Sequence, residues 1–96
     1  MSGRISVYAP FDCDPVRLRQ MVETVRSEAR ELGLDLVGPF GRDDNRICVF
    51  YEDSEAKCYV YVDNYEKPLN MEKAALTIRV MVAMTRMRKQ AIRVSA

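Results

Sequence analysis

Apolar and polar residues alternate along the first segment of the chain. In residues 4–9 the side chains of Ile5, Val7 and Ala9 fall on one face, which predicts a half-buried strand. Pro10 should end it, because proline has no N–H to donate to a sheet. A helical pattern follows: Asp14 and Pro15 are typical of a helix start, and Gly33 of a helix end. Between them the apolar residues recur every three or four positions: Leu18, Val22, Val25, Ala29 and Leu32.

The remaining segments predict three further strands and a second helix. Residues 34–37 form a short strand that Gly38 and Pro39 should stop, followed by a polar, mobile stretch at 41–45. Residues 46–51 and 57–63 predict a hairpin, residues 64–69 a loop, and Asn70 caps a last helix that runs to about residue 94. The sequence therefore predicts a single α+β domain, residues 1–96, in the order β-α-β-β-β-α. We expect a two-layer sandwich with both helices on one face of a small mixed or mostly antiparallel sheet.

The last helix carries two apolar stripes. At 100° per residue one stripe contains Leu76, Val80, Ala83, Met84, Met87, Ala91 and Val94. The second stripe lies in the first half of the helix and contains Met71, Ala74, Ile78, Met81 and Val82. It packs either inside the monomer, which is the commoner outcome, or against a second copy as a homodimer interface.

The predicted hairpin gives the sheet an aromatic surface. If the helices cover the face that carries Cys58, Val60 and Val62, the other face shows Tyr59 and Tyr61. We expect three residues of the preceding strand to join them: Ile47, Val49 and Tyr51. An apolar surface of this size is rare on a monomer and indicates a contact with a protein or a ligand, of which we favour a protein. The alternative is that both faces of this apolar strand are covered.

Charge and composition narrow the classes of function. The 96 residues include 15 basic and 14 acidic side chains, so the net charge of +1 does not favour nucleic acid, membrane or an acidic substrate. The acidic neighbours of the tyrosines (Asp53, Glu55, Asp63 and Glu66) argue against nucleic acid on the sheet. The last helix does gather cations, which gives an alternative nucleic-acid site at Arg79, Arg86, Lys89 and Arg93.

Candidate chemistry is sparse. The chain has no histidine, and its three cysteines match no paired metal or redox spacing, so we predict no cofactor, no metal site and a reducing, cytoplasmic location. Cys13 and Arg19 resemble the phosphate loop of cysteine phosphatases in spacing only, since Pro15 removes a donor and Asp12 and Asp14 would repel an anion. The sequence as a whole favours a non-enzymatic binding protein of the inhibitor or adaptor type.

Overall fold

Two helices pack on one face of a four-stranded mixed sheet. The computed structural model describes residues 3–62 and 70–95, with the side chains of 3–62 and 70–88. The elements are β1 (Arg4–Pro10), α1 (Pro15–Leu32), β2 (Asp35–Arg42), β3 (Cys48–Glu52), β4 (Lys57–Tyr61) and α2 (Met71–Ser95). The strand order is β2-β1-β3-β4, with β1 parallel to β2 and the other two pairs antiparallel. The predicted fold class and element order are confirmed; the predicted loop at 64–69 lies outside the described residues.

Both helices begin at capping residues that the sequence indicates. The Asp14 carboxylate accepts a hydrogen bond of 3.0 Å from the Arg17 N–H, and Asn70 Oδ1 accepts one of 3.0 Å from the Lys73 N–H. Gly33 ends α1 in the left-handed conformation, with φ at 69°. These caps occupy backbone groups that a helix end would otherwise leave unpaired.

β2 is longer than the sequence predicts. Gly38 and Pro39 do not stop it, and the strand continues to Arg42. An extra residue in β2 is absorbed by a register shift between Ser6 and Tyr8 of β1. Because β2 lies at the edge of the sheet, the missing N–H of Pro39 breaks no ladder on its outer side.

The core lies between the helices and the sheet. It joins the inward residues of β1 and β3 to Met21, Val25 and Ala29 of α1. From α2 it includes four of the residues predicted for a dimer interface, all buried within this chain, with the fifth, Met71, packed against them: Ala74, Ile78, Met81 and Val82. The commoner outcome expected for this stripe, packing inside the monomer, is confirmed, and the predicted dimer interface at these residues is wrong, because α1 and the sheet already cover them. The exposed stripe of α2 is the other one, formed by Leu76, Val80, Met84 and Met87.

Candidate functional site

The turn between β3 and β4 decides which side chains reach each face of the sheet. Asp53 Oδ1 accepts hydrogen bonds from the Glu55 N–H at 2.8 Å and the Ala56 N–H at 2.9 Å, while the Asp53 N–H donates to the Ala56 carbonyl at 2.9 Å. Asp53 Oδ2 accepts a bond of 2.6 Å from the Tyr51 hydroxyl. One carboxylate therefore fixes the length of the turn and ties it to the core.

With this turn, odd-numbered residues of β3 pair with even-numbered residues of β4. Val49 lies opposite Val60, and Tyr51 opposite Cys58. Cross-strand partners share a face, so these residues turn toward the helices. Three of the predicted protein-binding residues are consequently wrong, since they lie in the core with at most 1% of their surface exposed: Ile47, Val49 and Tyr51.

The opposite face of the sheet carries a row of five aromatic rings. Tyr59 and Tyr61 lie there as predicted, and three rings that the prediction missed join them, namely Tyr8, Phe40 and Phe50. We call these five residues the aromatic row and this side of the sheet the open face. The row crosses all four strands, and no described helix packs on it. The alternation in residues 4–9 already places Tyr8 on the side away from Ile5 and Val7, which is the signal that identifies it.

Each ring of the aromatic row contacts the next. The centroid of Tyr8 lies 5.4 Å from that of Phe40 and 6.4 Å from that of Phe50. Phe50 stacks on Tyr59 at 6.2 Å with an interplanar angle of 10°, and Tyr59 meets Tyr61 edge-on at 5.9 Å. These are favourable aromatic geometries, so the rings hold one another in place while Tyr59 keeps 55% of its surface exposed.

Two small residues lie beneath the rings. Ser6 and Cys48 point to the open face, yet Ser6 is 8% exposed and Cys48 is fully buried. Tyr8 and Tyr61 lie opposite Cys48 on the adjacent strands, and the Arg42 side chain lies within hydrogen-bonding reach of its thiol. Burial raises the pKa of the Cys48 thiol, against the opposing effect of Arg42. Water is therefore excluded from this part of the open face.

The loop between β2 and β3 anchors the Tyr61 end of the aromatic row. The Arg46 guanidinium carbon lies 3.8 Å from the Tyr61 ring centroid, and the Tyr61 hydroxyl donates to Asp44 Oδ2 at 3.2 Å. Hydrogen bonding by the Asn45 N–H is the largest cause of the lowered pKa of Asp44, with contributions from Tyr61 and Arg42. The stretch predicted to be polar and mobile thus holds one side of the candidate surface.

Two ion pairs lie beside the open face. Arg4 and Glu52 form an ion pair across β1 and β3, and Arg4 lowers the pKa of Glu52 chiefly through this hydrogen bond. Arg42 Nε lies 3.9 Å from Asp44 Oδ2. Beside its exposed aromatic surface the open face therefore carries two ion pairs and two further cations, Arg46 and Lys57.

The predicted basic stripe of α2 is partly used inside the chain. Arg79 binds Glu28 of α1 through two bonds, from Nε at 2.8 Å and from Nη2 at 3.0 Å. Arg86 Nη2 lies 3.5 Å from the Leu32 carbonyl oxygen, with its guanidinium 5.9 Å from the Tyr51 ring. The side chains of Lys89 and Arg93 lie outside the described residues. Two of the four cations therefore hold α2 against α1 and the core.

Cys13 lies at the start of α1, but the helix end is already occupied. Its thiol lies 3.6 Å from the Asp14 carbonyl oxygen, and the Asp14 carboxylate takes the Arg17 N–H. An anion at Cys13 would meet this carboxylate in place of a free helix terminus.

Within the described ranges, no three Cys, Asp or Glu side chains gather in a way that suits a metal ion. No helix in the described part of the chain has both the length and the apolarity needed to cross a membrane. Comparisons with protein-family models, curated proteins and solved structures found no match to this chain.

Proposed function

We propose that this protein is a non-enzymatic binding module, of the inhibitor or adaptor type, that docks a protein partner on its open face. The observation that carries the proposal is the aromatic row, five contacting rings that cross all four strands with no described element above them. Its outer members remain accessible, with Tyr59 55% and Phe40 44% exposed. Contiguous apolar patches on soluble domains commonly mark interaction sites.

The chemistry of the face favours a protein over single-stranded nucleic acid. Tyrosine offers a rigid apolar ring and a hydroxyl at little entropic cost, and it is enriched at protein interfaces. Stacking of bases requires free ring faces and cations for the phosphates. Here Phe50 and Tyr59 stack on each other, Arg46 covers Tyr61, and Arg4 is neutralised by Glu52. The expected partner therefore presents an apolar patch with a few hydroxyl-bonding groups.

A matched set of variants tests this proposal. Phe40→Ser with Tyr59→Ser removes the two most exposed rings of the row, while Val16→Ser with Leu76→Ser removes comparable apolar surface from the helices, where each residue is 56% exposed. Immobilised full-length chains are compared by quantitative mass spectrometry of the proteins they retain from the native host, and the dissociation constant of a purified hit is then measured. We expect the ring variant to weaken binding at least about tenfold and the helix variant to leave it unchanged.

Two outcomes would overturn the proposal. Equal retention by the ring variant and the wild type would show that the aromatic row does not bind the partner. Tight binding of a mixed-sequence oligonucleotide, with affinity that falls steeply with salt, would instead support the nucleic-acid alternative. Fluorescence anisotropy of the oligonucleotide at low and high salt measures this affinity and its salt dependence.

A further inference from the structure

The hydrogen bonds at the two ends of β4 show which way its backbone groups point. The Val62 N–H donates to the Ile47 carbonyl at 3.0 Å, and the Asp53 N–H donates to the Ala56 carbonyl at 2.9 Å. In an antiparallel pair the bonded positions alternate, so between these two bonds the even-numbered residues of β4 bond to β3. The odd-numbered residues must direct their backbone groups away from β3.

This leaves a row of donors and acceptors along the outer edge of β4. Lys57, Tyr59 and Tyr61 each direct one N–H and one C=O outward, and β4 is the last strand of the sheet, so no described strand pairs with them. The Cys58 thiol lies 3.8 Å from the Tyr59 carbonyl oxygen, a weak contact that a strand N–H can replace. The edge of β4 is therefore a template for another strand.

The other edge of the sheet, formed by β2, is protected against the addition of a strand. β2 contains Pro39, which has no N–H, and an irregularity in its pairing with β1. Both are devices that prevent strand addition. β4 has neither proline nor glycine, and Lys57 is its one charged residue.

We propose that β4 pairs with β4 of a second copy of this chain, antiparallel and centred on Tyr59, to form a continuous eight-stranded sheet. In this register Tyr59 lies opposite its own copy and Lys57 opposite Tyr61 of the second copy, so all the outward groups of these three residues find partners. The arrangement is isologous and leaves the open face and its aromatic row accessible. It goes beyond the proposed partner binding and does not depend on it.

The residues of β4 allow a second copy as the occupant. No like charges lie directly opposite each other in this register, since Tyr59 faces its own copy and Lys57 faces Tyr61. The Arg46 guanidinium already lies 3.8 Å from the Tyr61 ring centroid and the Tyr61 hydroxyl is bonded to Asp44, so Lys57 of the second copy approaches a cation and a carboxylate together. The self-complementary hydrogen bonds of β4, and not its charges, therefore identify the occupant as a second copy.

The helix next to this edge of the sheet is α2. It packs over β4, whereas α1 packs over β1 and β2. A copy added at β4 therefore brings a second α2 alongside the first, on the same side of the eight-stranded sheet.

Light scattering on the full chain tests the pairing. The wild type should have twice the 11.1 kDa mass of one chain at about 100 μM, since dimerisation depends on protomer concentration. Tyr59→Lys places like charges opposite each other at the centre and should give the single-chain mass. The matched controls Phe40→Lys, on the protected edge, and Val16→Lys, on α1, should remain dimeric. All three positions are exposed, so circular dichroism should show a folded chain in each case.

Amide hydrogen exchange supplies the direct readout. In the dimer the N–H groups of Lys57 and Tyr61 should exchange at least about 100-fold more slowly than the same groups in the Tyr59→Lys variant. A wild type that is monomeric at this concentration would overturn the proposal. A dimer that survives Tyr59→Lys would also overturn it, as would a dimer whose Lys57 and Tyr61 N–H groups exchange at the rate of the variant.

Discussion

Tyrosine occurs on both faces of the β3–β4 hairpin, buried in the core on one face and exposed on the other. Tyr51 points to the helices, is 1% exposed, and donates its hydroxyl to Asp53 at 2.6 Å. Tyr59 points to the open face, is 55% exposed, and rests against Phe50 and Tyr61. The residue type does not decide between core and surface here; the position of each residue in the strand pairing does.

The comparison shows how much depends on the turn. Asp53 bonds to the backbone N–H groups of Glu55 and Ala56 and so fixes which residues of β3 and β4 are partners. A turn one residue longer would place Tyr51 on the same face as Tyr59, because the side chains of a strand alternate. The core and the candidate binding surface are therefore set together by one short loop.

The largest expected difference between the faces is in stability. Tyr51→Ala removes a buried ring and its hydroxyl bond, and should lower the free energy of unfolding by about 4 kcal/mol. Tyr59→Ala removes an exposed ring and should cost less than about 1 kcal/mol. Urea denaturation of the two variants and the wild type checks both values. Similar losses in the two variants would contradict the assignment of Tyr59 to the surface.

A smaller loss is expected when the turn is weakened. Asp53→Ala removes the acceptor of the Glu55 and Ala56 N–H groups and of the Tyr51 hydroxyl, at a cost of about 2 kcal/mol. Asp53→Asn keeps a carbonyl oxygen and should recover part of this. Asp43→Ala, an exposed carboxylate in the other loop, is the control and should be nearly neutral. An Asp53→Ala variant as stable as the control would show that the strands alone set the pairing.

The periodicity of apolar residues predicts the helices and strands, but it does not predict which face of each strand is buried. The caps at Asp14 and Gly33 and the alternation of residues 4–9 are local signals, and the structure confirms the elements they indicate. The burial of Ile47, Val49 and Tyr51 depends on whether the turn contains an odd or an even number of residues. The hydrogen bonds between residues 53 and 56 set that number. No pattern within a single strand contains that information.

The two stripes of α2 predicted packing inside the monomer, but the pattern did not show which stripe stays exposed. Both are apolar and both have helical spacing, so the pattern shows that one must be buried without showing which. In the structure the stripe of Ile78 and Val82 is buried, and the bond from Arg79 to Glu28 fixes the rotation of the helix against α1.

Phe40 of the aromatic row was missed because Gly38 and Pro39 predicted the end of β2, whereas an edge strand tolerates them.

At alkaline pH the buried Tyr51 should lower the stability of the protein. Burial, with help from Asp53, raises the pKa of the Tyr51 phenol, so the native state holds this proton more tightly than the unfolded chain does. The stability that it contributes is complete below the ordinary tyrosine pKa and is lost as the pH rises through the raised value. The free energy of unfolding should therefore fall above a pH of about 10. Tyr51→Phe should show a shallower fall, measured against its own stability at neutral pH; identical slopes would exclude Tyr51 as the source.

The smallest expected effect concerns the one buried thiol of the open face. Cys48 is fully buried between the strands that carry Tyr8 and Tyr61, whereas Cys58 is partly exposed, so iodoacetamide at neutral pH should modify Cys58 well before Cys48. Tyr61→Ala removes part of the cover and should speed the modification of Cys48 about tenfold, because both exposure and thiolate formation increase. Peptide mass spectrometry over time gives the rate at each cysteine, with Val16→Ala as the control. If Cys48 reacts as fast as Cys58 in the wild type, the rings do not cover the sheet and the open face is more mobile than its contacts indicate.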